Sequence, residues 1–367
     1  MARALDLARA VKGRTSPNPA VGAVLVRDGR IVGEGATQPP GQPHAEAVAL
    51  AAAGAGARGA TLYVSLEPCS HYGRTPPCAD ALVAAGIAEA HIATLDPNPA
   101  VAGRGRARLA AAGIRTYVGE GAALARTINE DFAHWITTGR PLVIAKYAMS
   151  LDGRIATRTG EARWISGPES RQEVHRLRDC VDAILVGAAT VLADDPELTT
   201  RLERPARPPR HPWRLVADSR CRTPPSARVL RRDLPGRTTI VTTAAAPPQR
   251  RAALAAAGAE VWELPDKDNV GQVSLEALLD ALGRQQVTSL LVEGGPTLLG
   301  AFFDRGLVDH VMAFVAPFVL GGAAPAAVGG EGVARLAEAP RLLDPEVRRI
   351  GADTLISGPL RTVVWPE

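Results

Sequence analysis

The chain has 367 residues, a length that favours two domains over one. Hydrophobic residues make up 46% and charged residues 22%, as in soluble globular proteins with sizeable cores. Because 42 basic residues are nearly balanced by 38 acidic ones, the net charge of +4 indicates no large basic field for nucleic acid.

Cysteine usage and the first residues indicate the compartment. The four cysteines, Cys69, Cys78, Cys180 and Cys221, could in principle form disulfides. The opening residues, however, are typical of an amphipathic helix and not of a signal peptide, and no apolar run approaches the length of a membrane span. We therefore expect a soluble protein in the reducing cytoplasm.

After the opening helix, the pattern predicts a hairpin of two strands. Residues 23–26 form an apolar strand and residues 30–33 the return strand, with Asp28-Gly29, a pair typical of tight hairpin turns, between them. The preceding loop places Asn18 between two prolines that would hold it rigidly. Its amide could therefore bind a substrate, or it could simply form the turn.

Two helix starts follow, and each carries a candidate metal ligand. A helix is predicted over residues 44–53, directly after a proline-rich loop. His44 and Glu46 are two residues apart, so they can converge on one centre only at the first turn of that helix. A buried strand over residues 61–66 leads to Cys69, and Cys78 opens the next helix. A further strand before Thr94 completes an alternation that indicates a helix-flanked α/β sheet.

The residue types at these positions suggest an open zinc site. One imidazole, two thiolates and a carboxylate that need not bind metal are what zinc-dependent nucleobase deaminases use. Taken singly, His44 could be a helix cap and either cysteine a small buried apolar group. A structural zinc site is a further alternative, with His71 as its fourth ligand. The carboxylate of Glu46 favours catalysis, since a structural site has no use for it.

The stretch Glu67-Pro-Cys-Ser-His-Tyr-Gly-Arg-Thr-Pro-Pro-Cys78 narrows this interpretation. It has eight residues between its cysteines, where the general deaminase signature has two. Together with His44-Ala-Glu46 and Asp96-Pro-Asn-Pro99, it resembles the deaminase domain of the bifunctional riboflavin-biosynthesis deaminase/reductases. The resemblance implies that zinc is held by His44, Cys69 and Cys78 and that Glu46 moves the protons. The substrate contacts that we predict in this domain are Asn18, Arg74, Asp96 and Asn98.

A Gly/Pro break near Arg140 predicts the domain boundary, giving domains at residues 1–140 and 141–367. The second half again alternates strands and helices, and Ser166 and Glu169 have the spacing of a capping box at one helix start. Residues 289–299 read as strand, double glycine and helix, a turn whose amides can cradle phosphate. The Arg/Pro-rich stretch 204–214 could bind nucleic acid, but with almost no aromatic residues it is better explained as an exposed connector.

Motifs of the second half resemble the reductase domain of the same family. They are Ser150-Leu-Asp-Gly-Arg154, Thr190-Val-Leu-Ala-Asp-Asp-Pro-Glu-Leu-Thr199 and Val292-Glu-Gly-Gly-Pro296. The resemblance implies hydride transfer from NADPH. By position, the cofactor contacts would be Ala148, Trp164, Thr190, Asp194, Ser219, Gly295, Pro296 and Thr297. The substrate contacts would be Ala162, Arg178, Leu198, Arg201 and Glu293, with Lys146 and Asp194 as candidates for polarising the reacting sugar.

We therefore predict a cytidine-deaminase-like three-layer α/β/α domain followed by a dihydrofolate-reductase-like α/β domain. The resemblance implies deamination of 2,5-diamino-6-ribosylamino-4(3H)-pyrimidinone 5′-phosphate and then reduction of its ribosylamino group to ribitylamino. We expect a homo-oligomer, a dimer or a tetramer, that acts on this small molecule and on neither nucleic acid nor membranes. Two alternatives are a tRNA-editing deaminase fused to an unrelated α/β domain, and a zinc-stabilised binding module without catalysis.

Overall fold

A computed structural model describes residues 1–72, 76–267 and 271–366. The chain forms two compact units. The first comprises Met1–Arg140 and the last residues of the chain from Val363, and the second comprises Pro141–Thr362. Within the described ranges, no helix combines the length and the apolar character needed to cross a membrane.

The first unit is a five-stranded sheet with helices. Its helices are α1 (Ala2–Val11), α2 (Ala45–Ala53), α3 (Cys78–Ala85), α4 (Arg104–Ala111), α5 (Ala122–Ile128) and α6 (Glu130–Thr138). Its strands are β1 (Gly22–Arg27), β2 (Arg30–Ala36), β3 (Thr61–Val64), β4 (Glu89–Ile92) and β5 (Arg115–Val118). They lie in the order β2-β1-β3-β4-β5.

Strand direction in this sheet decides where the loops meet. Strand β1 is antiparallel to β2 and β3, whereas β3, β4 and β5 run parallel. The predicted hairpin is confirmed, because Asp28 and Gly29 have φ values of 51° and 73°, as a tight two-residue turn requires. Since parallel strands end at the same edge, the segments after β3 and β4 lie side by side. These segments carry Cys69 and Asp96.

The second unit is built on a nine-stranded sheet. Its helices are α7 (Pro168–Cys180), α8 (Ala188–Asp194), α9 (Pro248–Ala256), α10 (Leu275–Arg284) and α11 (Pro296–Asp304). Its strands are β6 (Leu142–Ser150), β7 (Ala183–Gly187), β8 (Trp213–Ala217), β9 (Thr238–Thr242), β10 (Glu260–Glu263), β11 (Ser289–Val292), β12 (His310–Ala316), β13 (Glu346–Ile350) and β14 (Asp353–Pro359).

The strand order is β10-β9-β8-β7-β11-β6-β12-β14-β13. All neighbours from β10 to β12 are parallel, and β14 and β13 then add an antiparallel edge. Strands β9 and β11 are buried along their whole length, as expected for a parallel sheet covered on both faces. The carboxyl ends of β8, β7, β11 and β6 therefore line one edge, where ligands of such sheets usually bind.

The predicted capping box of α7 is wrong. Gly167 is the N-cap residue, and no side chain of the helix caps its first turn. Instead, Asp353 Oδ2 accepts hydrogen bonds from Gly167 N at 2.7 Å and from Ser170 Oγ at 2.6 Å. A carboxylate from β14 thus accepts from the N-cap amide, the role that a capping box would give to Glu169, and spacing within the helix alone could not indicate this partner.

Candidate active sites

Three ligand atoms meet in the first unit where two helices begin. His44 is the N-cap residue of α2, Cys78 is the first residue of α3, and Cys69 lies in the loop after β3. His44 Nδ1 lies 3.6 Å from Cys69 Sγ and 3.5 Å from Cys78 Sγ, and the three ligand atoms lie within 4.8 Å of one another. In the described part of the chain, this is the group of side chains arranged to hold a metal ion.

The donor set and its spacing fit zinc. A tetrahedral zinc ion bound at about 2.0–2.1 Å by nitrogen and about 2.3 Å by sulfur holds such atoms roughly 3.5 Å apart. The backbone supports the thiolates, since Cys78 N donates to Cys69 Sγ at 3.3 Å. Hydrogen bonds from the Cys78 thiol and from His44 lower the pKa of Cys69 to about 4, so one thiolate forms readily. His71 is exposed and lies outside this group, which disfavours the four-ligand structural site.

Glu46 is a buried carboxylate beside these ligands. It lies in the first turn of α2, and only 4% of the residue is exposed. Burial raises its pKa to about 7, and the negative charge of Cys69 acts in the same direction. His44 and Glu46 therefore both lie at the start of α2, as their two-residue spacing requires.

The loop after β4 is fastened to the loop that carries Cys69 by one carboxylate. Glu67 Oε2 accepts from Asp96 N at 3.1 Å and Gly103 N at 2.9 Å, and Glu67 Oε1 accepts from Arg106 N at 2.9 Å. Asp96 itself is buried, which raises its pKa to about 7 with a further contribution from the charge of Glu67. Asp96 Oδ1 accepts from Asn98 N at 2.8 Å, so both predicted substrate residues lie on this fastened loop.

Asn18 lies in a loop held by another asparagine. The side chain of buried Asn129 accepts from Ala20 N at 2.7 Å and donates to Ala20 O at 3.0 Å. Asn18 itself is partly buried, and its backbone N–H closes a turn onto Thr15 O at 2.8 Å. The predicted contact Arg74 lies outside the described residues.

In the second unit, three of the predicted residues form one charged cluster. Arg178 binds Glu293 through two parallel hydrogen bonds, from Nε at 2.8 Å and Nη2 at 3.0 Å. Lys146 Nζ lies 3.7 Å from Glu293 Oε2, and all three side chains are at most 16% exposed. Burial alone would raise the pKa of Glu293, but the charges of Arg178 and Lys146 outweigh it and lower the pKa to about 2. The cluster thus contains two cations for one carboxylate.

Leu198 and Arg201 lie on a loop that contacts this cluster. Arg178 Nη1 donates to Thr199 O at 3.2 Å, and Arg201 Nη1 donates to Thr199 Oγ1 at 2.9 Å. Leu198 is 3% exposed and has a φ of 56°, in the left-handed region. Because both guanidinium groups donate to Thr199, they lie near each other. Partial burial and the charge of Arg178 lower the pKa of Arg201.

The predicted cofactor residues cluster at the carboxyl edge of the sheet. Thr190 lies on α8 directly after β7, and its Oγ1 accepts from Gly295 N at 3.1 Å. Gly295 is the N-cap residue of α11, and Pro296 and Thr297 follow in its first turn. Ser219 follows β8, the strand next to β7. Backbone amides at such helix starts bind phosphate groups well, as a dinucleotide requires.

The remaining predicted residues are spread more widely. Trp164 is 68% exposed, and the Arg171 guanidinium lies 4.6 Å from its ring centroid. Ala162 lies in the same segment before α7, and Ala148 is on β6. Asp194 ends α8, and its backbone carbonyl accepts a hydrogen bond from Arg163. The carboxylate that the structure pairs with Lys146 is that of Glu293.

Sequence reasoning missed the residues that support these sites. The sequence patterns assign no role at either site to Glu67, although it stands in a motif, and none to Asn129 or His175. Their partners lie 29, 109 and 26 positions away along the chain, so no local spacing marks the contacts.

Comparisons with known proteins give two family matches. Residues 141–356 match the family described as "RibD C-terminal domain". Residues 1–94 match the "Cytidine and deoxycytidylate deaminase zinc-binding region". The first match covers the parallel part of the nine-stranded sheet, and the second covers the three predicted zinc ligands.

Individual relatives match along nearly the whole chain. Riboflavin biosynthesis protein RibD of Escherichia coli (strain K12) is 43% identical over 365 residues, 97% of each chain. The protein of the same name from Aquifex aeolicus (strain VF5) is 41% identical over 356 residues, 97% of this chain and 96% of its own.

Two solved structures also align with nearly the whole chain. Acinetobacter baumannii RibD aligns with a TM-score of 0.85 at 38% identity, covering 98% of this chain and 97% of that one. A diaminohydroxyphosphoribosylaminopyrimidine deaminase/5-amino-6-(5-phosphoribosylamino)uracil reductase from Thermotoga maritima aligns with a TM-score of 0.83 at 35% identity, covering 97% and 96%.

Proposed function

The chain belongs to the RibD family of riboflavin biosynthesis, and we propose that its two units divide the two reactions of that family between them. The predicted bifunctional enzyme, a hydrolase and an oxidoreductase that use zinc and NADPH, is thereby confirmed. In our proposal, residues 1–140 carry the deamination and the second domain carries the reduction. The observation that supports this division best is that each unit has its own buried cluster of reactive side chains.

For the first unit, we assign the zinc ligands as His44, Cys69 and Cys78. These three residues would hold the ion, and zinc bound there would supply the Lewis acidity that lowers the pKa of a water molecule. Glu46 takes one proton from the attacking water and passes it to a ring nitrogen of the pyrimidine. It then takes the remaining proton from the newly added hydroxyl group and delivers it to the departing amine, which leaves as ammonia. Asn18, Asp96 and Asn98 orient the ring on loops that Asn129 and Glu67 hold in place. Arg74 is our candidate for the substrate phosphate.

Replacing Glu46 by glutamine tests this assignment. Glu46→Gln keeps the size of the side chain but cannot move protons, so ammonia release should fall by about 10²–10⁴-fold. Zinc content and NADPH-dependent reduction of the deaminated substrate should stay at the wild-type level. Deamination at the wild-type rate in this variant would refute the role of Glu46. Loss of zinc would show that Glu46 supports the metal site instead.

For the second unit, we assign Lys146 as the group that polarises the reacting sugar at C1′, where NADPH, when bound, would supply the hydride. The Glu293 carboxylate holds Lys146 in place, and Arg178 and Arg201 supply the surplus positive charge that an anionic substrate group would balance. The turn at Thr190 and Gly295 to Thr297, with Ser219, Ala148 and Trp164, is the proposed NADPH site. Ala162, Leu198 and Asp194 stay predictions, the last as a second polarising group.

Replacing Lys146 by methionine tests the second assignment. Lys146→Met preserves the shape of the side chain without its charge, so we expect kcat of the reduction to fall by about 10²-fold. The Kd of NADPH, measured by fluorescence titration, should change little. Lys267→Met is the matched control, since Lys267 is an exposed lysine of the same unit. Reduction at the wild-type kcat in Lys146→Met would exclude Lys146 from the chemistry.

We further propose that the protein is a cytoplasmic homo-oligomer, a dimer or a tetramer. The family resemblance supports this proposal. Size-exclusion chromatography with light scattering distinguishes the two assemblies from a monomer, and a monomer at micromolar concentration would refute the proposal.

A further inference from the structure

Two histidine side chains hold the backbone of the loop that carries Arg201. Thr200 N donates to His211 Nδ1 at 3.2 Å, and Arg201 N donates to His175 Nδ1 at 3.2 Å. His175 comes from α7, and His211 lies just before β8. Because an amide N–H can only donate, both Nδ1 atoms must be unprotonated, and each neutral ring carries its proton on Nε2.

The surroundings of both rings favour the neutral form. Partial burial and the positive charges of Arg178, Arg201 and Lys146 lower the pKa of His175 to about 4, against the opposing charge of Glu293. Burial and the charge of Arg214 lower the pKa of His211, with Asp179 acting in the opposite direction. Both acceptors therefore stay available across the neutral pH range.

The segment held in this way has a demanding conformation. Leu198 has a φ of 56°, which L-residues with branched side chains rarely adopt, and residues 198, 199 and 200 are each at most 4% exposed. Arg178 Nη1 adds a third contact, to Thr199 O at 3.2 Å. A left-handed leucine persists only where the surrounding contacts outweigh its cost. Here those contacts are side chains from α7 and from the segment before β8.

The held backbone determines where the Arg201 side chain begins. The guanidinium of Arg201 is anchored to Glu197 Oε2 at 3.3 Å and Thr199 Oγ1 at 2.9 Å, yet 55% of the side chain is exposed. A long, half-exposed arginine loses considerable rotamer freedom when it binds a ligand, so fixing its backbone beforehand improves affinity.

We propose that His175 and His211 are positioning residues for the reduction, and that their Nδ1 atoms lock residues 199–201 so that Arg201 stands beside Arg178 for the anionic group of the substrate. This inference rests on the proposed function of the second unit, in which these arginines bind substrate. It adds two residues that do not touch the substrate themselves.

The test compares His175→Ala and His175→Asn in the full-length, zinc-loaded protein with saturating NADPH. Asparagine can present an oxygen near the position of Nδ1, whereas alanine cannot. We expect His175→Ala to raise KM for the deaminated pyrimidine substrate about tenfold, the equivalent of one hydrogen bond, with kcat within about twofold. His175→Asn should restore KM to within about threefold of wild type. Deamination by the same preparations should be unchanged.

Gln172→Ala is the matched control. Gln172 lies one turn earlier on α7, and its Oε1 accepts from a backbone amide of the same connection, Glu203 N, at 3.2 Å. This contact lies beyond Arg201, so we expect KM within about twofold of wild type. If His175→Ala does not fold, His211→Ala is tested instead, because it removes the acceptor of the neighbouring amide, Thr200 N. We expect the same increase in KM.

Three results would overturn the inference: equal KM values in His175→Ala and His175→Asn, a change confined to kcat, or an equal effect of Gln172→Ala. A wild-type protein that fails to reduce the substrate would instead refute the proposed function, so the two failures are distinguishable.

Discussion

At the scale of single residues, one carboxylate in the second unit partly neutralises the charge of two buried cations. Glu293 accepts two hydrogen bonds from Arg178 and lies 3.7 Å from Lys146 Nζ. Removing one member of such a group leaves the others charged and poorly solvated, which usually costs more stability than the intact group contributes. Glu293 is therefore needed for the fold as well as for the proposed chemistry.

Replacing Glu293 by glutamine should destabilise the second unit. Glu293→Gln leaves Lys146 and Arg178 without their counter-charge, so we expect the free energy of unfolding to fall by about 3–5 kcal/mol. Urea denaturation followed by circular dichroism, with the transition of the second unit fitted separately, measures the effect independently of activity. The control is Glu346→Gln, since Glu346 forms an exposed pair with Arg348 and should contribute less than about 1 kcal/mol.

The pH dependence provides a second readout for Glu293. The pKa of Glu293 in the folded protein, about 2, lies below its ordinary value of 4.5. The unfolded chain therefore binds more protons between these values, and the stabilisation is lost as the pH falls from 4.5 toward 2. Glu293→Gln should lack this part of the acid sensitivity. Identical acid unfolding curves would contradict the assignment.

At the scale of elements, helix α4 packs unusually close to the loop that holds Cys69. A Cβ atom at Gly105, in the first turn of α4, would lie 1.9 Å from Pro68 O and 3.2 Å from Glu67 Cγ. The close approach allows Glu67 to accept hydrogen bonds from Gly103 N and Arg106 N. One glycine thus lets a helix dock onto the loop that carries Cys69, a proposed zinc ligand.

Replacing Gly105 by alanine should separate α4 from that loop. We expect Gly105→Ala to destabilise the first unit by about 1–3 kcal/mol, as overpacking does elsewhere, and to raise KM for deamination because Asp96 shifts with the loop. Deamination kinetics and chemical denaturation measure both effects.

Gly56→Ala is the control for this prediction. A Cβ atom there would contact Val32 at an ordinary 3.4 Å, and its stability should change little. Gly105→Ala with wild-type stability and KM would show that the helix can move away without consequence.

At the scale of the whole molecule, the chain builds two units and returns to the first at its end. Trp365 packs against the apolar core of the first unit, and the Arg126 guanidinium lies 5.9 Å from its ring centroid. Each unit has its own sheet and core, so damage to one should leave the chemistry of the other intact.

Replacing Trp365 by alanine should lower the stability of the first unit alone. The lost packing and cation–π contact should lower its stability by about 1–2 kcal/mol. Thermal inactivation followed separately for deamination and reduction should show an earlier loss of deamination only. Val364→Ala, at a neighbouring position that is 75% exposed, should change neither. Earlier loss of both activities would contradict the conclusion that Trp365 stabilises the first unit alone.

The sequence by itself determined the alternation of strands and helices and, through its motifs, the family and its two reactions. It also predicted the proposed zinc ligands and Glu46. Local rules indicated these positions, because His44 and Cys78 stand at helix starts and Cys69 lies in the loop after β3. The long spacer between the cysteines and the motifs of the second half then identified the family, which the comparisons confirm.

Only the tertiary structure decided how these pieces support one another. Glu67 joins two loops, and Asp353 accepts hydrogen bonds at the start of α7. His211 and His175 hold the backbone amides of residues 200 and 201. The physical reason is that a directed hydrogen bond between distant segments leaves no periodicity in the sequence. Its partners meet only once the strand order has placed the loops side by side, and that order depends on packing across the whole sheet.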